Sequence, residues 1–100
     1  MSFIYVLNLK PHYKIAANWD ENSNQTIESH FLYLKSLNEE GIVRFVGRTD
    51  YAPDHPDLFG ICVLNVDDFK KASEIMEQDP AVKLGIMEAK IHPFKTIFSN

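Results

Sequence analysis

A single cysteine, Cys62, stands among the 100 residues, so no internal disulfide framework holds this chain together. Glycine is scarce, at four, and proline stops at five, which excludes collagen-like and linker-rich architectures. No long apolar run occurs. Phe3 to Leu9 is far too short to span a bilayer, and it lacks the basic start of a secretory leader. An excess of positive charge is missing as well. With 14 acidic and 10 basic side chains the net charge is −4, which offers nucleic acid no basic face. These absences leave one domain over residues 1–100, expected in the cytoplasm, with neither nucleic acid nor membrane as a partner. Asn24-Gln25-Thr26 fits a glycosylation sequon and is read as a chance match.

What is plentiful is apolar surface. Hydrophobic residues make up 45% of the chain and aromatic ones 12%. A chain this short buries only about 60–65% of its unfolded surface. Some of that apolar area is therefore expected to pack against another subunit.

Taken in order, Phe3 to Leu9 reads as a first strand, apolar on both alternating faces. His12 to Ser23 is a polar connection containing Trp19, either a pocket lining or an anchor for the loop. From Asn24 to Glu40 the period turns helical, with Ile27, Phe31, Leu34 and Leu37 on one stripe and Gly41 as the stop. His30 falls on or beside that stripe, one to two turns from the expected helix start. Ile42 to Asp50 is a second strand with Gly47-Arg48 near its end. A loop with Pro53 and Pro56 follows, then a third strand over Leu58 to Val66. Asp67 is placed to cap a helix running to Gln78, its inward face formed by Phe69, Ala72, Ile75 and Met76.

The helix must end before Pro80, because the ring disfavours the α conformation at Asp79. Asp79 is then set to cap a short new helix, with Pro80 at its first position and Gly85 closing it. A fourth strand follows over Ile86 to His92 and is expected to stop at Pro93.

The order β-α-β-β-α-β defines an α+β fold, the ferredoxin-like split arrangement with a four-stranded antiparallel sheet. Two helices cover one face of such a sheet. Strands apolar on both faces then predict a homodimer joined through the uncovered sheet faces.

That topology also makes a chemical prediction. Strand four lies beside strand one, and the first helix leaves from the end where strand four begins. His30 and Asp79 therefore meet at one end of the domain. A histidine paired with a carboxylate fixes its tautomer and can move a proton on a small organic substrate. The bland alternatives are a half-buried histidine bonded to backbone and an aspartate that only caps its helix. Arg48, Tyr51 and Trp19 are the remaining candidates for the substrate pocket. Cys62, in an apolar strand, reads as core. His12, His55 and His92 show no metal-ligand spacing, and no phosphate-binding loop, dinucleotide fingerprint or serine nucleophile elbow occurs.

The run Asp79-Pro80-x-Val82-x-x-Gly85 and the ending Pro93-Phe94-Lys95-x-x-Phe98 resemble the YciI-like (YCII-related domain) family of the dimeric α+β barrel superfamily. His30-x-x-x-Leu34, Glu40-Gly41 and Gly47 fit the same pattern, so the resemblance spans nearly the whole chain. It implies a histidine–aspartate active-site pair, here His30 and Asp79, and a fold similar to muconolactone isomerase. One branch of the family removes chloride from a chlorinated hydroxyquinone. The chain departs from the family in having Ile27 where many members carry an arginine, and Gly47-Arg48 where Gly-Pro is usual; Arg48 is the candidate to replace that cation.

The leading expectation is thus a small lyase or isomerase acting without cofactor, His30 shuttling a proton and Asp79 orienting it. A non-catalytic dimeric binding module is the second reading. A cofactor-free monooxygenase, by fold analogy alone, is the third.

Overall fold

In the computed structural model, which describes residues 1–100, each of the three α-helices begins on an aspartate that caps it. The order is β1 (Ser2–Leu9), α1 (Glu21–Glu39), β2 (Val43–Arg48), β3 (Gly60–Asn65), α2 (Phe69–Gln78), the short α3 (Pro80–Lys83) and β4 (Met87–Phe94). The four strands form one antiparallel sheet in the order β2-β3-β1-β4. This is the expected ferredoxin-like α+β arrangement.

β1 is central. It pairs with β3 through Tyr5↔Cys62 and with β4 through Tyr5↔Ile91. Because strand side chains alternate, Phe3, Tyr5 and Leu7 share one face with Cys62 and Leu64, and all five are buried in the core with Leu34 of α1 and Ala72 of α2. Ile4, Val6, Ile61 and Val63 occupy the opposite face, where no helix lies over them, and stay partly exposed. A bulge between Val43 and Phe45 interrupts the pairing of edge strand β2.

Beyond strand ends that shift by one or two residues, the structure departs from the sequence expectation at four places. α1 begins at Glu21 because Asp20 and Ser23 form a reciprocal capping box, each side chain bonding the other's backbone N–H at 2.8 Å. His30 accordingly sits at mid-helix rather than near its start. The connection before α1 is not irregular; it holds two 3-10 turns, Pro11–Lys14 and Ala16–Asn18. α2 is capped by Asp68, not Asp67, its carboxylate accepting from the Lys71 N–H at 2.7 Å. β4 continues through Pro93, which pairs opposite Phe3 on an edge strand, where a missing N–H is tolerated.

The face of α1 also differs. Its buried line is Ser23, Thr26, His30 and Leu34, while Phe31 is 56% exposed. The helix is rolled so that a largely polar line, with His30 on it, meets the sheet.

Candidate active site

Asp79 is completely buried, at 0% exposure. A carboxylate in that position needs donors on every side. The backbone supplies one: Ala81 N–H donates to Oδ1 at 3.0 Å, the helix cap of α3 that Pro80 makes possible. α1 supplies a second, His30 Nδ1 at 2.6 Å from Oδ1. β1 supplies a third, the Tyr5 hydroxyl donating to Oδ2 at 2.8 Å. Gly85, at a φ of 80° that favours glycine, then turns the chain from α3 into β4. Lys10 N–H donates to Ile86 O at 3.0 Å and ties the end of β1 to the same corner.

The expectation that His30 and Asp79 converge is therefore met in space; the cap reading of Asp79 holds beside it, whereas His30 is not a half-buried residue bonded to backbone but a buried one bonded to the carboxylate. Asp79 does cap its helix, with the same oxygen that holds the histidine. His30 is 4% exposed. Facing a carboxylate, Nδ1 is the donor, so Nε2 is the nitrogen whose lone pair the neutral ring offers. No buried side-chain nitrogen or oxygen lacks a partner, and Nε2 has none within the chain. Nε2 therefore reaches the space that His30 lines, a pocket of about 410 Å³ between α1 and the β2–β3 end of the sheet.

That pocket is walled mainly by Leu7, Leu9, Ile27, Phe31, Leu58 and Met87, with Trp19 and Arg48 also in its lining. The Trp19 indole N–H donates to Tyr13 O at 2.7 Å, so one residue both anchors the preceding turn and faces the cavity. Tyr51 is not among the lining residues. Its ring stacks on His55, centroids 3.9 Å apart and 9° from parallel. Pro53 and Leu58 of the same loop reach the pocket instead. No group of three or more His, Cys, Asp or Glu is arranged so that it could hold a metal ion.

Tyr5 is the member of the cluster that sequence reasoning missed. Strand alternation puts it on the helix-facing side, but the reach of its hydroxyl to Asp79 depends on where α3 starts. Burial pushes the Tyr5 hydroxyl far above its ordinary value, reinforced by Cys62 and by the Asp79 charge. It stays protonated and stays a donor. Burial likewise pushes the Cys62 thiol up to about 12, and burial with the Asp79 charge pushes Tyr33 to about 12.

These groups hold protons more tightly folded than unfolded, so the stability they contribute is complete below the unfolded values of 9.0 for Cys62 and 10.0 for the tyrosines and is lost as pH rises beyond them. The thermal midpoint is expected to fall steadily from about pH 9 to about pH 12, each fully buried group removing up to about 1.4 kcal/mol per pH unit. Tyr5→Phe should make that fall shallower, as read by melts followed by circular dichroism. An equal slope in both proteins would show that Tyr5 ionises freely in the folded state.

A buried carboxylate gripped from a helix, a strand and a backbone turn, presenting an imidazole to an apolar pocket, marks a small α+β domain of enzyme-like construction. Residues 1–95 match the YCII-related domain, and the chain belongs to that family. Among solved structures it is similar in fold to 5-chloro-2-hydroxyhydroquinone dehydrochlorinase (TftG) from Burkholderia phenoliruptrix AC1100 in complex with 2,5-dihydroxybenzoquinone. The TM-score is 0.69, at 16% identity over 95% of this chain and 94% of that one. No curated protein matches.

Proposed function

We propose that this protein is a small enzyme of lyase or isomerase type that works without an organic cofactor or metal. His30 Nε2 takes a proton from a carbon or hydroxyl of a small organic substrate, and Asp79 orients and stabilises the imidazolium that forms. The observation that carries this reading is the 2.6 Å contact of His30 Nδ1 with a fully buried carboxylate, behind a pocket that His30 itself lines. Proton transfer of this kind needs a positioned base and little else.

The similar fold is that of a dehydrochlorinase, so a chlorinated hydroxyhydroquinone is the first substrate to assay. Elimination of HCl is redox-neutral. A hydroxyl proton moved to the chlorine-bearing ring carbon gives the keto tautomer. The base then takes a second hydroxyl proton, the O–H electrons form a carbonyl as the ring double bond shifts, and chloride leaves with the C–Cl pair. Chloride release and solvent deuterium uptake, compared between the native protein and His30→Asn, test the proposal. Equal rates in the two would end it.

The working form is proposed to be a cytoplasmic homodimer. Ile4, Val6, Ile61 and Val63, with Phe45 beside them, form an apolar face with no helix above it, and a second copy is the simplest cover. No helix is long and apolar enough to cross a membrane. Sedimentation at micromolar concentration is expected to give twice the chain mass, and Val6→Glu to give the monomer. A native protein that sediments as a stable monomer would refute the dimer.

A further inference from the structure

We infer that the pocket is built for an organic anion, a single flat ring carrying a carboxylate or comparably charged oxygen that Arg48 receives. The inference rests on the proposed active site and adds what that site selects. The charge pattern of the lining is one-sided. Arg48 and His30 are the ionisable residues in it, and no aspartate or glutamate faces the cavity although the chain as a whole is acidic. Asp79 lies behind His30, sealed from the pocket.

Arg48 is also free. The one ion pair within the chain is His30–Asp79, so the guanidinium has no carboxylate of its own. Strand register fixes its direction. Arg48 pairs with Gly60, and Gly60 pairs with Leu7, so all three lie on the sheet face that looks toward α1. Gly60 leaves the floor between Leu7 and Arg48 open. A Cβ there would meet the Gly47 carbonyl oxygen at 3.5 Å and Leu7 at 3.7 Å, both ordinary contacts. The fold thus tolerates a Cβ at Gly60, and branches added beyond it would take space from the pocket.

The remaining walls suit a ring. Trp19 and Phe31 contribute aromatic surface, and Leu7, Leu9 and Met87 contribute aliphatic surface. A cavity of about 410 Å³ lies at the small end of the range usual for ligand sites, which runs from about 300 to 1,000 Å³. A forked guanidinium recognises a planar oxyanion through two parallel hydrogen bonds, whereas the neutral amide of the same shape satisfies only part of that pattern.

The test uses benzoate and benzamide as probes, with the fluorescence of Trp19, the single tryptophan, as readout. Benzoate is expected to bind about tenfold more tightly than benzamide, a preference that shrinks as salt is added. Arg48→Met should bring benzoate down to the level of benzamide. Gly60→Val should abolish binding of both while the thermal midpoint stays close to native. His30→Asn should keep the preference for benzoate, so the anion site can stand even if the proton-transfer reading falls. Benzamide binding as well as benzoate, an unchanged preference in Arg48→Met, a preference lost in His30→Asn alone, or no binding of either probe would each overturn the inference.

Discussion

Asp79→Ala is expected to be the most damaging single substitution in this chain. Three donors converge on that carboxylate, from His30, Tyr5 and the Ala81 backbone. Removing the acceptor strands a buried tyrosine hydroxyl and a buried imidazole N–H and strips the cap from α3. Breaking a buried, hydrogen-bonded pair from one side costs about 3–5 kcal/mol. A domain of this size has only about 5–15 kcal/mol in total. The thermal midpoint should therefore drop on the order of 15 °C or more. Guanidinium titration gives the free energy directly, and a loss below about 1 kcal/mol would mean that the three contacts do not hold Asp79 as described.

Two companion variants separate the contributions. Asp79→Asn should be much milder. The side shared by His30 and Ala81 demands an acceptor, so the amide oxygen takes the Oδ1 position and its NH2 faces the Tyr5 hydroxyl, which can rotate to accept. The histidine tautomer survives while the charge that stabilises an imidazolium is gone. Adding Tyr5→Phe to Asp79→Ala should recover part of the lost stability, because an orphaned hydroxyl costs more than an absent one.

How much of this cluster was legible from the sequence depends on what each residue signals. Asp79 was, because Asp-Pro followed by a glycine closing a short segment is a local pattern with one sensible backbone solution. The meeting of Asp79 and His30 followed from connectivity once six elements were placed in order. The face of α1 is not legible because its buried line runs through Ser23, Thr26 and His30 before Leu34, and a hydrophobic period cannot see the first three. Its first turn, Glu21 to Ser23, carries no apolar residue, so a hydrophobic period places the helix start too late. Asp20 and Ser23 were the available signal, three apart and both able to cap. Tyr5 needed three dimensions. It looked like any aromatic residue on a core strand, and its role exists only because α3 brings a carboxylate above that strand.

His30→Asn is the variant expected to separate chemistry from structure most sharply. An asparagine amide nitrogen falls close to where Nδ1 stood, so it can still donate to Asp79 and leave no buried acceptor unpaired. What it lacks is the far half of the ring, Nε2, the part that faces the pocket. Helix propensity changes little between the two residues, so stability should stay within about 1 kcal/mol of native. Turnover on any substrate that needs proton transfer should fall by about 10²- to 10⁴-fold, the usual contribution of a positioned acid or base. That corresponds to about 2.7–5.4 kcal/mol of barrier. The loss should appear in kcat with KM nearly unchanged, whereas Arg48→Met should act chiefly through KM. Because the truncated ring leaves a gap open to the pocket, added imidazole should restore part of the rate in His30→Asn. It should restore nothing in Asp79→Ala, where the partner that orients the ring is missing. Activity in His30→Asn within threefold of native would leave the buried pair as scaffolding.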